Sequence, residues 1–460
     1  MSKQPLRIAV VGAGPAGLYA IEHLLEQGRF AVEVDLFERL PTPWGLARSG
    51  VAPDHPEKKL VIDRHFAFLL QDQRVRFLGN VEVGTVIHHS ELVSWYDAVL
   101  YASGATDDTR LGIVGENLPG CWSAREFVSF YNGHPDHRDL PVDLSVERAV
   151  VVGNGNVGLD VARILAMPIR ELERTDVSDS ALHALRRSRI REVVVLGRRG
   201  HEQAAFKNPE LEELERLSGV DVVVDEQGLP SVDSIEKDIS DHAIRRKLRT
   251  LHRLAERPLT STNKRIVLRF LESPVQLLGN DRVEQVEVMH NRLERDSSGK
   301  VRPRATGDSY LVNAGLVLRA VGFRGRPLPG LQFDDVRGVV VNDCGRVLDS
   351  EGHVLPRVYV AGWAKRGCQG IIGSNKKCAA ETVGHVLADA VAVRSPERFA
   401  LSRDAVLAQV RKRTSVVLLE GWHAIDREER REGRRHGRPR VKIAERHHLL
   451  HTALIAGDAQ

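Results

Sequence analysis

Residues 6–28 read LRIAVVGAGPAGLYAIEHLLEQG. The stretch divides into an apolar strand, a tight turn and a helix. In such a unit Gly12 permits the turn, Gly14 lets the backbone approach a pyrophosphate, and Gly17 lets the helix pack close to its strand. The phosphates sit on free N–H groups at the positive end of the helix dipole. A G-x-G-x-x-G alone is a weak signal, and its plainer meaning is a glycine-rich turn. Here Glu38 stands 21 residues beyond Gly17, at the end of the next strand, VEVDLFER. An acid at that place accepts from adenosine ribose hydroxyls. The combination predicts a dinucleotide site.

The plan restarts at Ala149 with AVVVGNGNVGLDVARILA, which supplies Gly153, Gly155 and Gly158. The next strand closes on a different charge. VVVLGRRG ends in Arg198 and Arg199, with no acid there. A carboxylate would repel a 2′-phosphate, whereas two guanidiniums bind it through charge-assisted hydrogen bonds. The second turn is thus expected to take NADP(H) and not NAD(H). The plainer alternative, a solvated pair of Arg at a strand end, is less favoured by their place relative to the glycines. One site without a 2′-phosphate clamp and one with it fit FAD plus NADPH, between which a hydride can pass.

Strand and helix alternate through both halves, as in a parallel α/β sheet. The fold class expected is α/β with two Rossmann-like dinucleotide-binding domains, the NADP(H) domain inserted in the FAD domain. The chain would cross between them near Ala105 and Val321. That gives a first FAD-binding part over 1–105, an NADP(H)-binding domain over 106–321, and a second FAD-binding part with a basic helical tail over 322–460. Met167–Ser188 is longer than a minimal crossover. Pro209–Leu217 reads as a short acidic helix, RIVLRFLESPVQLLG (265–279) as antiparallel strand, and Gly370–Val391 as a long helix.

The chain has 460 residues and a net charge of +4, so no strong nucleic-acid field is implied. Its Arg cluster at 186–191, 198–199 and 427–440, either as solvated faces or as docking patches for an acidic partner. Cys121, Cys344, Cys368 and Cys378 form no C-x-x-C pair, which speaks against a dithiol site or a zinc knuckle. No metal site is expected. The cysteine pattern suits a reducing cytosol. The strand starting at Leu6 leaves no room for a signal peptide. No apolar run approaches the ~18 residues of a membrane span, so a cytoplasmic protein without membrane contact is expected.

On several longer stretches the chain resembles an adrenodoxin-reductase-type ferredoxin–NADP⁺ reductase of the bacterial kind. They are LPTPWGLARSGVAPDHP (40–56), GNGNVGLDVARIL (153–165), QAAFKNPELEEL (203–214), GWAKRGCQGIIGSNKKCAAETV (362–383) and GWHAIDREERREGRRHGRPRVK (421–442). The resemblance implies flavin contacts at Gly12, Gly14, Ala16, Gly17, Glu38, Leu46, Val83, Trp363, Gly370, Ile371 and Ile372. It implies NADP(H) contacts at Gly153, Asn154, Gly155, Asn156, Val157, Arg198, Arg199, Glu210 and Gly370. It places His55, of the PDHP motif, and Glu213, of the acidic helix, near the reacting rings. The activity implied is hydride transfer from NADPH to FAD, then single-electron transfer to an acidic ferredoxin docking on a basic face, for instance to feed a monooxygenase. The alternatives are an NADPH diaphorase reducing quinones or other small acceptors, and an NADP(H)-sensing flavoprotein.

Three features stay open on sequence alone. Arg48–Pro56 reads as a proline-stiffened loop in which Asp54 is a candidate cap for the helix starting at Pro56. Cys368 is either a small buried filler or a redox-sensitive thiol. The tail is either a ferredoxin dock or a lid anchored by Trp422 and Ile425.

Overall fold

In the computed structural model, residues 5–370, 372–393 and 401–457 are described. The chain divides into two units: 1–51, 55–108 and 322–460 form one, and 52–54 with 109–321 form the other.

The first unit is built on a sheet whose strands run, edge to edge, Asn342–Asp343, Arg346–Leu348, Val354–Val360, Ala98–Tyr101, Leu6–Val11, Val32–Glu38 and Val75–Gly79. The five from Val354–Val360 onward are parallel. Every residue of Leu6–Val11 is buried, and the side chains alternate. Leu6, Ile8 and Val10 join the core that holds Leu18 and Ile21 of the glycine helix. Ala9 and Val11 join a separate core with Phe37, Tyr101 and Val360. A strand covered on both faces has no polar side to show, which is why, after Arg7, its run from Ile8 to Val11 is wholly apolar. Each such side chain contributes roughly 1.5–3 kcal/mol on burial.

The second unit repeats the plan. Its parallel strands are ordered Cys121–Ser123, Leu316–Arg319, Arg148–Val152, Glu192–Gly197, Lys264–Phe270 and Val220–Val224. Ala149 and Val151 face one core, Val150 and Val152 the other. The long crossover at 167–188 holds two short helices, Ile169–Leu172 and Asp179–Arg186.

Three boundaries differ from the sequence expectation. The segment 265–279 is two strands in two sheets: Lys264–Phe270 is parallel, and Glu272–Leu278 starts an antiparallel three-stranded sheet. Leu271 between them has φ +56°, so the chain turns where the apolar pattern runs on. The acidic helix covers Asn208–Leu214, with Pro209 in its first turn. The long C-terminal helix starts at Ser374 and not at Gly370, whose φ of +86° is left-handed and cannot continue into a helix.

The tail belongs to the first unit. Helix Leu419–Arg435 buries Trp422, Ile425 and Glu429. The segment after it folds back along the helix, and Glu429 accepts from Arg440 at 3.0 Å, from Arg48 at 2.5 Å and from the Ile443 N–H at 2.9 Å. These guanidiniums hold the buried Glu429 carboxyl below its ordinary range against the opposing pull of burial. Arg48, expected in the proline loop, lies instead in the short helix Leu46–Ser49 and serves the fold.

Candidate nucleotide sites

At the first glycine turn, each glycine meets a different demand. Gly12 has φ +107°, and a Cβ there would lie 2.5 Å from the Ala102 carbonyl oxygen. A Cβ on Gly17 would lie 2.1 Å from the Gly12 oxygen, inside the strand–helix contact. Gly14 is different: its φ is −83°, and a Cβ would meet only the Gly45 Cα, at 4.0 Å. The protein's own packing thus requires Gly12 and Gly17 but not Gly14. A bare backbone at Gly14 fits a pyrophosphate that must come close.

Around this turn the structure brings together Glu38, Trp44, Gly45 and Gly362. Glu38 accepts from the Ala13 N–H and the Leu40 N–H, each at 3.0 Å. Burial pushes its carboxyl above the usual range, and these backbone donors only partly oppose that. Trp44 donates its backbone N–H to the Ala13 oxygen at 2.9 Å, which brings Gly45 against Gly14, with Leu46 next in the chain. Gly362 packs so close that a Cβ would fall 2.5 Å from the Ala16 Cβ, setting Trp363 beside the glycine helix. Ile372 packs on the core that contains Ala16, and its carbonyl accepts from Asn375 at 3.2 Å. Gly370 is exposed in the turn before the helix. Ile371 lies outside the described residues. Val83 lies just past the strand Val75–Gly79 and packs against the Phe37 core.

The second turn matches the first closely. Gly153 has φ +113° with the Ala320 oxygen 2.4 Å from its Cβ position, and a Cβ on Gly158 would lie 2.1 Å from the Gly153 oxygen. Gly155 has open space around it, and Val157 lies in the first turn of the helix Asn156–Ala166. Asn154 and Asn156 use their side-chain oxygens on the chain just beyond the next strand, accepting from the Ala205 N–H at 3.4 Å and the Lys207 N–H at 2.9 Å. Their side chains hold the loop 198–207 over the glycine turn. Arg198 is exposed and Arg199 half-buried, and among the described residues neither guanidinium is paired with a carboxylate. Two adjacent cations left without an anion suit a 2′-phosphate. Glu210 lies in the helix Asn208–Leu214.

Glu213 has a partner that the sequence did not announce. Arg163, 1 % exposed, donates to Glu213 at 3.0 Å, to Asp160 at 2.8 Å and to Asp54 at 2.6 and 3.2 Å. Three carboxylates keep this buried guanidinium firmly charged. Asp54 is therefore not the cap expected for the Pro56 helix. His55 occupies that cap position and makes no side-chain capping bond. His55 is buried, with Glu57 at 3.4 Å. Arg110 is turned to Glu116, at 3.4 Å, and to Asn117. Burial raises the Cys368 thiol to about 11, so it is a protonated filler and not a reactive thiolate.

Comparison with known proteins agrees with this geometry. Residues 6–227 match the pyridine nucleotide-disulphide oxidoreductase family. The chain is 44 % identical over 462 residues to the NADPH-ferredoxin reductase FprA of Mycobacterium tuberculosis, covering 98 % of this chain and 100 % of that one. The chain belongs to the NADPH–ferredoxin reductase family. Another relative, the mitochondrial NADPH:adrenodoxin oxidoreductase of Arabidopsis thaliana, is 39 % identical, with 98 % of this chain and 96 % of that protein covered. The structure of M. tuberculosis FprA in complex with NADPH superposes with a TM-score of 0.92 at 42 % identity, covering 98 % of this chain and all of that one. Within this reductase fold, the residues that sequence reasoning missed are Arg163, Asp160 and Trp44. Trp44 has φ +84°, rare for a bulky side chain, and this turns the chain onto Ala13.

Proposed function

We propose that this chain takes hydride from NADPH onto FAD, held by its first unit, and passes electrons singly to a ferredoxin. The observation that carries the assignment is the pair of matched glycine turns whose next strands end in opposite charges, Glu38 in one and Arg198–Arg199 in the other. FAD, when bound, supplies the conversion from a two-electron donor to a one-electron acceptor. The protein supplies position and electrostatics. Glu38 accepts from ribose hydroxyls. Arg198 and Arg199 hold the 2′-phosphate in the second unit. The N–H groups at the starts of Pro15–Glu26 and Asn156–Ala166 receive the diphosphates.

His55 and Glu213 tune the reaction; hydride transfer itself needs no general base. Arg163 fixes the Glu213 carboxylate in place. His55→Ala is expected to retain flavin on purification and to slow NADPH-dependent flavin reduction about tenfold, the low end for one positioned polar group. Recovery of apoprotein would make the loop a flavin clamp instead.

The activity is tested by steady-state cytochrome c reduction with NADPH. A cognate ferredoxin should raise the rate severalfold or more. No increase, with quinones reduced as fast, would make the chain a diaphorase, and failure of NADPH to bleach the flavin would make it a sensor. We place the ferredoxin dock on the outer face of the helix Leu419–Arg435. There, among the described residues, Arg427 and Arg434 are exposed and not paired, while Arg438, Arg440 and Lys442 of the same tail are buried. Charge reversal of both should raise KM for ferredoxin and flatten its salt dependence, leaving ferricyanide reduction unchanged. The four free cysteines suit a reducing compartment, and no helix of the described residues is long and apolar enough to cross a membrane.

A further inference from the structure

The loop that carries Arg198 and Arg199 is held from two sides. On one side Asn154 and Asn156 tie 205 and 207 to the glycine turn. On the other stands Lys247, on the helix His242–Ala255. Its ammonium donates to the Ala204 carbonyl at 2.6 Å, with the Glu202 carbonyl at 3.4 Å, and lies 5.5 Å from the centre of the Phe206 ring. All its close partners are neutral, although Lys normally finds a carboxylate when half-buried. Burial and the charge of Arg199 both push the Lys247 ammonium below the ordinary lysine range, while the more distant Asp241 opposes them weakly. Among the described residues no acid is bonded to Lys247 or to Arg199, so an anion that reaches this loop meets both charges uncompensated.

We propose that Lys247 is a selectivity residue of the coenzyme site: it fixes the 198–207 loop and adds a third positive charge facing the 2′-phosphate group. The inference rests on the assignment of Arg198 and Arg199 to that phosphate. The phosphate of the bound coenzyme is attracted by Lys247 as well as by the two arginines. Binding is therefore stronger for the phosphorylated coenzyme than two arginines alone would make it. A coenzyme lacking the phosphate gains nothing from Lys247 beyond an ordered loop.

The test is titration of the flavin-loaded protein with 2′,5′-ADP and with 5′-AMP, which share the adenosine and differ in the 2′-phosphate. K247Q keeps a donor for the Ala204 carbonyl and removes the charge. It should weaken 2′,5′-ADP about five- to twentyfold, in the range of one charge-assisted contact, and leave 5′-AMP within about twofold. K247R should restore most of the difference, and the KM for NADPH should follow while the KM for NADH does not. Equal loss for both ligands would make Lys247 a loop support only, and no loss for either would remove it from the site. R198A/R199A, run in parallel, separates the two levels. If that variant still prefers 2′,5′-ADP, the arginine assignment fails. If it loses the preference while K247Q keeps it, only the role of Lys247 fails.

Discussion

The two glycine turns are nearly the same object. Their helices start from glycines with φ −83° and −84°, and their first glycines have φ +107° and +113°. In each, a Cβ on the third glycine would fall 2.1 Å from the carbonyl oxygen of the first. The difference comes at the end of the next strand, where one turn receives the Glu38 carboxylate and the other a guanidinium pair. The scaffold thus sets that a dinucleotide binds, and a few side chains beyond it set which one.

The largest expected effect breaks the shared scaffold. G17A and G158A each force a Cβ into a backbone oxygen that cannot move without shifting strand from helix. Each should lose about 3 kcal/mol or more of stability, and G17A should be purified without flavin. G14A and G155A find open space at an ordinary φ. These should melt within a few degrees of the parent while losing affinity for their coenzymes. Thermal unfolding followed by circular dichroism, with flavin absorbance, checks both. A G14A protein that melts as early as G17A would show that the middle glycine is a packing residue.

Next in size is the element that distinguishes the turns. R198A/R199A should raise KM for NADPH by roughly one to three orders of magnitude, since each charge-assisted contact contributes ~1.5–3 kcal/mol. The KM for NADH should change little. Equal losses for both coenzymes would erase the contrast between the turns.

This contrast was legible in the sequence because it is local. Gly12, Gly17 and Glu38 lie within one strand–turn–helix–strand unit, and so do Gly153, Gly158, Arg198 and Arg199, so spacing alone places them. Arg163 was not legible, although it stands in the same helix as Gly158. Its partners Asp54 and Glu213 are 109 and 50 residues away, and only tertiary packing brings them to it. Asn154 and Asn156 were expected as coenzyme contacts, yet their side chains brace a loop 51 residues on. The end of Lys264–Phe270 was missed for another reason. Leu271 turns the chain without any glycine or proline to mark it.

The smallest effect asks which partner titrates in each site. Burial raises the Glu38 carboxyl above its ordinary 4.5 in the flavin-free protein. Ribose hydroxyls donate to its ionised form, so flavin binding favours deprotonation and lowers that pKa again. Flavin affinity should therefore be constant above the raised value and fall as pH drops through it. In the second site the 2′-phosphate itself takes up a proton near ~6. KM for NADPH should rise between pH 7 and 5 for that reason. E38Q should bind flavin a few-fold more weakly at neutral pH, by about one hydrogen bond's worth, but with no further loss in acid down to the pH where the fold fails. Fluorescence of released flavin across that range measures it. An identical acid dependence in E38Q and the parent would show that Glu38 is not the titrating partner. The first site would then differ from the second in shape alone and not in where its charge resides.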